Sequence, residues 1–185
     1  MEQTDKDIAR EVQEGGREAF GVLVLRYQPK MARYARKFLF RGDDVADLVQ
    51  DIFMKAYANI QSFDVRRRFS PWIYRIAHNI FLNAMRDNAK DRANLSLFDV
   101  DVLFPHPIAK EKTDDGAKRE EMKRMLDTSL GSLAPKYREP IVLYYFEEFD
   151  YKTISQILQI PVSTIATRIK QGKLMLGKTV NPSVL

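Results

Sequence analysis

The segment from Tyr151 to the C-terminus contains no Asp or Glu, and it carries five Lys or Arg side chains. Within it, two short helical patterns flank a tight turn at Gln159, Ile160 and Pro161. The first pattern is apolar on one side, and the second leaves Ser, Thr, Gln, Lys and Arg on its free side. Two helices joined in this way form a helix-turn-helix, whose second helix fits the major groove of DNA. The pattern predicts a helical fold at this end of the chain and favours a nucleic-acid ligand.

The composition of the whole chain is that of a basic globular protein. Its 185 residues are 45% hydrophobic and 30% charged, with a formal net charge of +5. That balance is typical of folded domains, and the positive charge favours a polyanionic partner. Cysteine is absent, which excludes disulfides and thiolate metal sites. The N-terminus is too charged for a signal peptide, and no apolar run is long enough to span a membrane, so we expect a cytoplasmic protein without membrane insertion.

Helical periodicity dominates the rest of the chain and predicts an all-α fold. We expect two small helical domains joined by a flexible linker, the C-terminal domain containing the helix-turn-helix. Asp5 is expected to cap the first helix, Pro29 to kink or split the second, and Ser70 to cap the fourth. The later helices are predicted at about 17–39, 43–59, 70–90, 122–130 and 135–147. The domains are predicted at 1–92 and 118–185, with the linker at 93–117.

The predicted linker is polar and charged at both ends but apolar in its middle. Such a composition favours a tether whose apolar residues dock on a surface of this protein or of a partner. The candidates for docking are Leu97, Phe98, Leu103 and Phe104.

The third predicted helix has an acidic side and an apolar side. Val45, Val49 and Ile52 fall on the apolar side, which should face the core. Asp44, Asp47 and Asp51 fall on the other side, with Leu48 and Met54 at its edges. An acidic stripe flanked by apolar residues suits an interface with a basic partner helix. The alternative is an acidic helix face that contacts only solvent.

Two longer strings resemble a known family. Residues 44–57, Asp-Val-Ala-Asp-Leu-Val-Gln-Asp-Ile-Phe-Met-Lys-Ala-Tyr, followed by residues 69–79, resemble the sigma-2 domain of the extracytoplasmic-function (ECF) group of bacterial sigma-70 factors. Residues 133–147, followed by the helix-turn-helix, are similar to the sigma-4 domain of that group. The two matches occur in the family's order, with a linker and no third domain between them. The resemblance implies an RNA polymerase sigma factor that directs promoter-specific transcription initiation.

The resemblance also implies roles for particular residues. In the family, the acidic helix binds the beta-prime clamp of core RNA polymerase, and the beta flap is a further contact. The residues of this chain in the matching stretch are Asp44, Asp47, Leu48, Gln50, Asp51 and Phe53. Phe53 has a core position as its alternative role, so the aspartates and Gln50 are the stronger candidates.

The resemblance assigns the loop before the fourth helix, and the start of that helix, to opening and reading the promoter −10 element. Arginines of the loop can bind phosphates, while aromatic surfaces can capture bases that have left the stack. Trp72 has two open roles, as a stacking surface or as a core residue. The candidates are Arg66, Arg67, Arg68, Phe69, Trp72, Arg75 and Asn79.

The resemblance assigns the helix-turn-helix to the duplex −35 element. Residues near the start of the second helix usually reach base edges, and later cations usually contact phosphates. The candidates are Ser163, Thr164, Ala166, Thr167, Arg168, Lys170 and Gln171.

Three departures from the family pattern have structural consequences. Gln159 stands where the turn normally has glycine, so it must adopt an unfavourable backbone conformation or reshape the turn. Ser163 and Ala166 replace residues common in the recognition helix, which puts the family's −35 preference in doubt. Pro140 falls within a predicted helix, and we expect it to shift the start of that helix.

Two other classes of function compete with this interpretation. A stand-alone helix-turn-helix transcriptional regulator would bind duplex DNA without polymerase, but the signals in residues 44–79 argue against it. An enzyme is disfavoured because His78 and His106 are the only histidines and no glycine loop for phosphate is present. We therefore expect no catalytic residues, no metal site and no cofactor.

The chain has no recognisable sensor of its own, so its activity is expected to be controlled by another protein. The resemblance implies an anti-sigma factor, commonly a membrane-anchored one, that clamps the two domains together around itself. Promoter DNA, core RNA polymerase and this inhibitor are the expected partners.

Overall fold

The structure, a computed structural model, describes residues 3–37, 42–94 and 125–180. The described residues are helical throughout, with short connections and no strand, which confirms the predicted all-α class. The N-terminal half (residues 3–94) contains α1 (Asp5–Gln13), α2 (Phe20–Arg36), α3 (Gly42–Asn59) and α4 (Phe69–Asn94), with short 3-10 helices at Arg17–Ala19 and Ile60–Ser62. The C-terminal half (residues 125–180) contains α5, described over 125–132, and α6 (Pro135–Tyr145), α7 (Tyr151–Leu158) and α8 (Val162–Val180). None of the described helices is long and apolar enough to cross a membrane.

Two predicted helix caps were wrong. Thr4 caps α1, because its hydroxyl oxygen accepts a hydrogen bond from the Asp7 N–H at 3.3 Å. Asp5 instead accepts hydrogen bonds from Arg26 and Tyr27 of α2, at 2.8 and 2.6 Å. This contact joins α1 to α2, which the sequence pattern alone does not reveal. Helix α4 begins at Phe69, so Ser70 lies inside its first turn rather than at its cap.

The prolines disturb the helices less than expected. Helix α2 runs unbroken through Pro29, and α6 begins at Pro135 even though Pro140 lies inside it. A proline at the first position of a helix removes no hydrogen bond of that helix, because the N–H groups there have no partner within it. Pro135 therefore fixes the start of α6, and the predicted shift caused by Pro140 was wrong.

The core of the N-terminal half is built around α3, which packs between α2 and α4. Its centre is aromatic, with the Phe69 ring 5.3 Å from Tyr27 and 5.4 Å from Phe63 between centroids. In the C-terminal half, α8 packs on both α6 and α7. Ile154, Ile157, Leu158, Ile165 and Ile169 are buried between the last two helices, as the helix-turn-helix pattern predicts.

The two halves pack directly on each other, mainly through α4 and α7. The Tyr74 ring of α4 lies 4.9 Å from the ring of Phe149, which precedes α7, so one continuous core joins the halves. The predicted domain boundary at residue 92 falls near the end of α4, which continues to Asn94. The linker beyond Asn94 lies outside the described residues, together with its candidates Leu97, Phe98, Leu103 and Phe104.

Candidate nucleic-acid and protein interfaces

Helix α3 presents a polar stripe to solvent. The side chains of Asp47, Gln50 and Asp51 are exposed, whereas Val45 and Val49 on the opposite side are buried. The predicted amphipathic division of this helix is therefore confirmed at these positions. The side chain of Asp44 lies outside the described residues. The exposed part of the stripe has two carboxylates one helical turn apart, which suits a partner surface of positive charge.

Two members of the predicted polymerase-binding set are core residues. Leu48 is 8% exposed and Phe53 is 7% exposed, and the Phe53 ring packs edge-on against Phe20 at 6.5 Å. The physical reason is that α3 contacts both α2 and α4, so its buried arc is wider than that of a surface helix. Leu48 and Phe53 can support the stripe from below, but they offer almost no surface to a partner.

Other apolar residues of α3 are exposed in their place. Met54 is 62% exposed, and Tyr57 is also exposed at the next turn along the same side as Gln50. Together with Gln50 they line a groove of about 690 Å³ between α2 and α3. The heptad spacing of Gln50 and Tyr57 was the signal available in the sequence for adding Tyr57 to the candidates.

The arginines of the loop before α4 are exposed and held in place by one carboxylate. Asp64 accepts hydrogen bonds from the Arg66 backbone N–H at 3.0 Å and from its guanidinium at 2.9 and 3.0 Å. The hydrogen bonds from Arg66 lower the pKa of Asp64 to about 2. Arg67 makes a longer ion pair with Asp64, at 3.6 Å. The loop therefore keeps its carboxylate ionised and presents a cluster of positive charge to solvent.

The base of this loop is fixed by polar contacts from α1. The Gln13 side-chain amide donates to the carbonyl oxygens of Ile60 and Phe63, at 2.7 and 2.8 Å. The Lys6 ammonium donates to the Arg66 carbonyl at 3.0 Å. Because these contacts are to backbone atoms, they set the path of the chain and leave the arginine side chains available.

The predicted −10 residues of α4 divide into a core residue and a surface group. Phe69 is 1% exposed and is enclosed by other aromatic rings, so its assignment as a DNA contact was wrong. Trp72 is half-buried, with centroid distances of 5.1 Å to Phe63 and 5.3 Å to Phe69. Its remaining surface lines a cleft between α3 and α4, together with Arg75 and Asn79. One part of the Trp72 ring therefore packs in the core, while another part faces the cleft, and its role as a stacking surface stays a prediction.

The arginine loop also faces the C-terminal half. A second cleft, of about 710 Å³, is bounded on one side by Arg66, Arg67, Arg68, Trp72 and Arg75. On the other side it is bounded by Thr153 and Gln156 of α7. The predicted −10 surface and the first helix of the helix-turn-helix are thus brought together in this structure, an arrangement that no sequence signal indicated.

Local interactions determine where the first helix of the helix-turn-helix begins and how the turn after it closes. Asp150 caps α7, because its carboxylate accepts a hydrogen bond from the Thr153 N–H at 2.6 Å. This hydrogen bond, with a smaller contribution from Arg68, lowers the pKa of Asp150.

After α7 the chain turns at Gln159, whose φ and ψ of 56° and 39° are left-handed. The expectation that Gln159 adopts an unfavourable conformation in the place of glycine is confirmed. The Ser155 hydroxyl donates to the Ile160 carbonyl at 2.5 Å and holds the turn closed.

The conformation of Gln159 gives a direct test of this turn. A side chain in the left-handed region costs about 1 kcal/mol because its Cβ approaches the following carbonyl oxygen. Gln159→Gly removes that cost, so we expect an increase of about 1 kcal/mol in the free energy of unfolding, measured with urea. Gln156→Gly is the matched control, because it places the same change within helix α7 and should lower stability by about 1 kcal/mol. A stability loss in Gln159→Gly would contradict the assigned backbone conformation.

The recognition helix α8 exposes most of its predicted −35 residues. Ser163, Thr167, Lys170 and Gln171 are exposed, and Thr164, Ala166 and Arg168 are partly exposed. The Thr167 hydroxyl donates to the Ser163 carbonyl at 3.0 Å, which leaves its methyl group to face a ligand. Methyl groups at this position suit contacts with thymine methyls in the major groove.

Two residues outside the predicted set share the surface of the recognition helix. Lys136 and Tyr137 of α6 line a groove of about 320 Å³ with Ser163, Thr164, Thr167, Arg168 and Gln171. A cation and a phenol beside the recognition helix can contact the DNA backbone on either side of the major groove. Sequence reasoning missed them because α6 lies outside the helix-turn-helix pattern, and only the packing of α6 on α8 brings them there.

These features together define a class of protein. The described residues carry an exposed acidic stripe on α3, a basic and aromatic cleft, and a helix-turn-helix. Residues 23–91 match the family Sigma-70 region 2, and residues 123–176 match the family Sigma-70, region 4. The chain is 32% identical over 182 residues to the ECF RNA polymerase sigma factor SigW of Bacillus subtilis, covering 96% of this chain and 97% of SigW. The chain therefore belongs to the ECF RNA polymerase sigma factors.

Further comparisons agree with this assignment. The chain is 29% identical over 185 residues to the ECF RNA polymerase sigma-E factor of Escherichia coli K12, covering 98% of this chain and 96% of the relative. The structure of CnrH in complex with the cytosolic domain of CnrY is similar at a TM-score of 0.71 and 26% identity, covering 98% of this chain and 99% of CnrH. The fold also matches the sigma factor RpoE in complex with the anti-sigma factor NepR from Bartonella quintana, at a TM-score of 0.69 and 23% identity, covering 89% and 98% of the two chains. The chain is thus a sigma factor, and the alternative of a stand-alone regulator is not supported.

Proposed function

We propose that this sigma factor acts through three separate surfaces, each carried by one described group of residues. Asp47, Gln50 and Asp51 bind the beta-prime clamp of core RNA polymerase. The cleft between the arginine loop and α7, which is lined by Arg67 and Trp72, binds the −10 element and helps to open it. Helix α8 reads the −35 element. The observation that supports this proposal is the position of exposed charge, acidic on α3 and basic in the cleft and along α8.

The chemistry of each DNA surface fits a different form of promoter DNA. The cleft offers guanidinium groups for phosphates and part of an indole ring for an unstacked base, which suits single-stranded DNA. The recognition helix presents short hydroxyl and methyl groups near its start, which suit base edges of a duplex. Lys170 and Gln171 lie one to two turns further along α8, and we assign Lys170 to a phosphate contact.

The proposal includes control by an anti-sigma factor, with the sigma factor present in the cytoplasm together with core polymerase. It is supported by the solved relatives, because CnrH was determined with the cytosolic domain of CnrY and RpoE with the anti-sigma factor NepR. A partner that binds both halves would keep the loop arginines and Trp72 close to Thr153 and Gln156 of α7. The chain then needs no catalytic site, since its role is to supply specificity to the catalytic core.

Reconstituted transcription tests the proposal. Core polymerase should start at discrete sites on genomic DNA of the source organism only when the full chain is added. Footprints at those sites should show protection near −35 that requires α8 and unpaired thymines near −10 that require the cleft. Equal initiation with and without the chain would reject the proposal. A protein captured with the chain from native cells should suppress this transcription when it is added back.

A further inference from the structure

Helix α1 contacts the arginine loop (residues 63–68) and the 3-10 helix before it through side chains near both of its ends. Lys6 lies in the first turn of α1, and Gln13 is its last residue. No site residue was predicted in α1, and the match to Sigma-70 region 2 begins only at residue 23. The contacts of α1 with the loop are therefore additional to the part of the chain that carries the family match.

The side-chain amide of Gln13 binds two carbonyl groups at once. Its nitrogen donates to the Ile60 carbonyl at 2.7 Å and to the Phe63 carbonyl at 2.8 Å, which uses both of its hydrogens. The Phe63 N–H donates to the Ile60 carbonyl at 3.0 Å and closes the turn between them. The Gln61 side chain donates back to the Gln13 carbonyl at 3.2 Å. The end of α1 and the start of the loop thus exchange hydrogen bonds in both directions.

The other end of α1 binds the middle of the loop. The Lys6 ammonium donates to the Arg66 carbonyl at 3.0 Å. Between the two points of attachment, Asp64 orders the chain locally, because its carboxylate accepts from the Arg66 N–H at 3.0 Å and its carbonyl from the Arg67 N–H at 2.9 Å. The side chains of Arg66 and Arg67 are 88% and 80% exposed. The backbone of the loop is therefore held, while its guanidinium groups face solvent.

The same attachment positions one wall of the −10 cleft. Phe63, whose carbonyl is bound by Gln13, packs its ring against Phe69 and Trp72 at centroid distances of 5.4 and 5.1 Å. Trp72 is half-buried and lines the cleft together with the loop arginines. A displacement of Phe63 would move both the indole ring and the backbone that carries the arginines. The amide of Gln13 is thus coupled to both kinds of group that the cleft offers to DNA.

We propose that Gln13 and Lys6 are positioning residues for promoter opening, which hold the arginine loop in the conformation that receives the −10 strand. This role rests on the function proposed above, because it concerns the −10 surface of that proposal. Neither side chain touches DNA in this role. A loop that is ordered before the strand arrives loses less conformational entropy when it binds. If only the held conformation engages the strand, opening slows in proportion to the fraction of loops in that conformation.

The conformation of the loop can be tested without DNA or polymerase, because Trp72 is the only tryptophan of the chain. Gln13→Met keeps the length of the side chain and removes both donors. We expect a red shift of the Trp72 emission and stronger quenching by acrylamide, since Phe63 no longer holds the indole in place. Glu14→Met is the matched control, because it introduces the same side chain at the next residue, which is exposed, and it should leave the emission unchanged.

Gln13→Glu tests the direction of these hydrogen bonds. Carbonyl oxygens only accept, so an ionised carboxylate at position 13 faces two acceptors without a donor. Protonation returns one donor, so the shift of the Trp72 emission should be largest at neutral pH and should shrink as the pH is lowered, relative to the parent at the same pH. A shift that does not depend on pH would show that the side chain at position 13 acts through its packing and not through donation.

Promoter opening by the holoenzyme then tests the function. Rates measured over a range of holoenzyme concentrations separate the initial binding of duplex promoter from the opening step. For Gln13→Met we expect the opening rate to fall by about tenfold, because two hydrogen bonds to the loop are lost, while initial binding through α8 stays unchanged. Equal losses in both steps would indicate general destabilisation of the chain and would reject a positioning role. Glu14→Met should open promoters at the rate of the parent.

Substitutions of Lys6 make the test independent of Gln13. Lys6→Met removes the donor to the loop, and we expect the opening rate to fall by about threefold, because one hydrogen bond is lost. Lys6→Arg keeps a donor at this position and should retain most of the opening rate. If Gln13→Met lost helical content by circular dichroism, the difference between the two Lys6 variants would decide the question.

The two levels of the proposal fail in different ways. If the parent opens promoters and the Gln13 and Lys6 variants open them equally fast, the positioning role is rejected and the proposed function stands. If the Trp72 emission shifts in the variants but thymines near −10 stay unreactive in the parent holoenzyme, the proposed function fails, whereas the hold of α1 on the loop stands. An unchanged emission in Gln13→Met and Gln13→Glu would overturn that hold itself.

Discussion

Reversal of charge at Asp47 and Asp51, by Asp47→Lys with Asp51→Lys, is expected to weaken binding to core RNA polymerase by about a hundredfold at low salt. Each reversal removes an attraction to a basic partner and adds a repulsion, which we take as about tenfold per site. The difference should shrink as salt is raised, because exposed charges are screened. Affinity measured by fluorescence anisotropy at several salt concentrations checks both statements.

The fold of the variant should not change, and the structure explains why. Asp47 and Asp51 are exposed and lie four residues apart, so two like charges already face each other on α3. Glu14→Lys with Glu18→Lys is the matched control, because it makes the same change of charge on an exposed segment at the end of α1. If both variants bound core polymerase as the parent does, the acidic stripe would be a solvated helix face.

The helices of this chain could be predicted because short-range features of the sequence determine where most of them begin and end. The extent of α3 and the turn of the helix-turn-helix follow from hydrophobic spacing and from glycine and proline positions. At Gln159 the pattern allowed either an unfavourable backbone conformation or a reshaped turn, and the structure shows the first of these. The wrong caps at Asp5 and Ser70 shift the helix starts by one and two residues, which is within the usual uncertainty of such boundaries.

The site residues were harder to predict because exposure depends on how many neighbours a helix has. Leu48 and Phe53 lie at the two edges of the apolar side of α3, and both are buried because α3 packs against two helices. Phe69 was assigned to DNA by its position in the family pattern, yet it fills the space between Tyr27 and Phe63. Hydrophobic periodicity indicates one buried face of a helix. It does not reveal how far burial extends when the helix packs against a second neighbour.

The packing of the two halves on each other could not be predicted from the sequence at all. Glu139 and Glu147 look like ordinary solvated residues of a charged segment, and no pattern links them to Tyr34 or Tyr74, whose hydroxyls donate hydrogen bonds to them. These partners are 105 and 73 residues away, and the pairing depends on the meeting of two finished surfaces. Hydrogen bonds between residues so far apart in sequence leave no periodic pattern, so they become visible only in the three-dimensional structure.

Removal of the three loop arginines, by Arg66→Ala, Arg67→Ala and Arg68→Ala together, is expected to nearly abolish promoter opening. The structure places these side chains at the surface of a loop whose path is fixed by Lys6 and Gln13 through backbone contacts. The loop should therefore keep its shape while losing three phosphate contacts. For single-stranded DNA the slope of log affinity against log salt should decrease in magnitude by about 2, roughly 0.7 for each contact.

The individual arginines should contribute unequally, because Asp64 already compensates part of the charge. Arg66 binds Asp64 through two guanidinium hydrogen bonds, while Arg67 makes only the longer ion pair at 3.6 Å. Arg67→Ala should therefore reduce open complexes more than Arg66→Ala, measured by permanganate reactivity of unpaired thymines.

The matched control for the triple variant, Arg10→Ala with Arg17→Ala and Lys30→Ala, removes the same charge from exposed positions of α1, the turn that follows it and α2. If the control variant lost opening to the same degree, net charge rather than the loop would determine the step. If the triple loop variant kept both its salt slope and its open complexes, the loop would have no role in opening, and the strand would have to be held by Trp72, Arg75 and Asn79 of α4 alone.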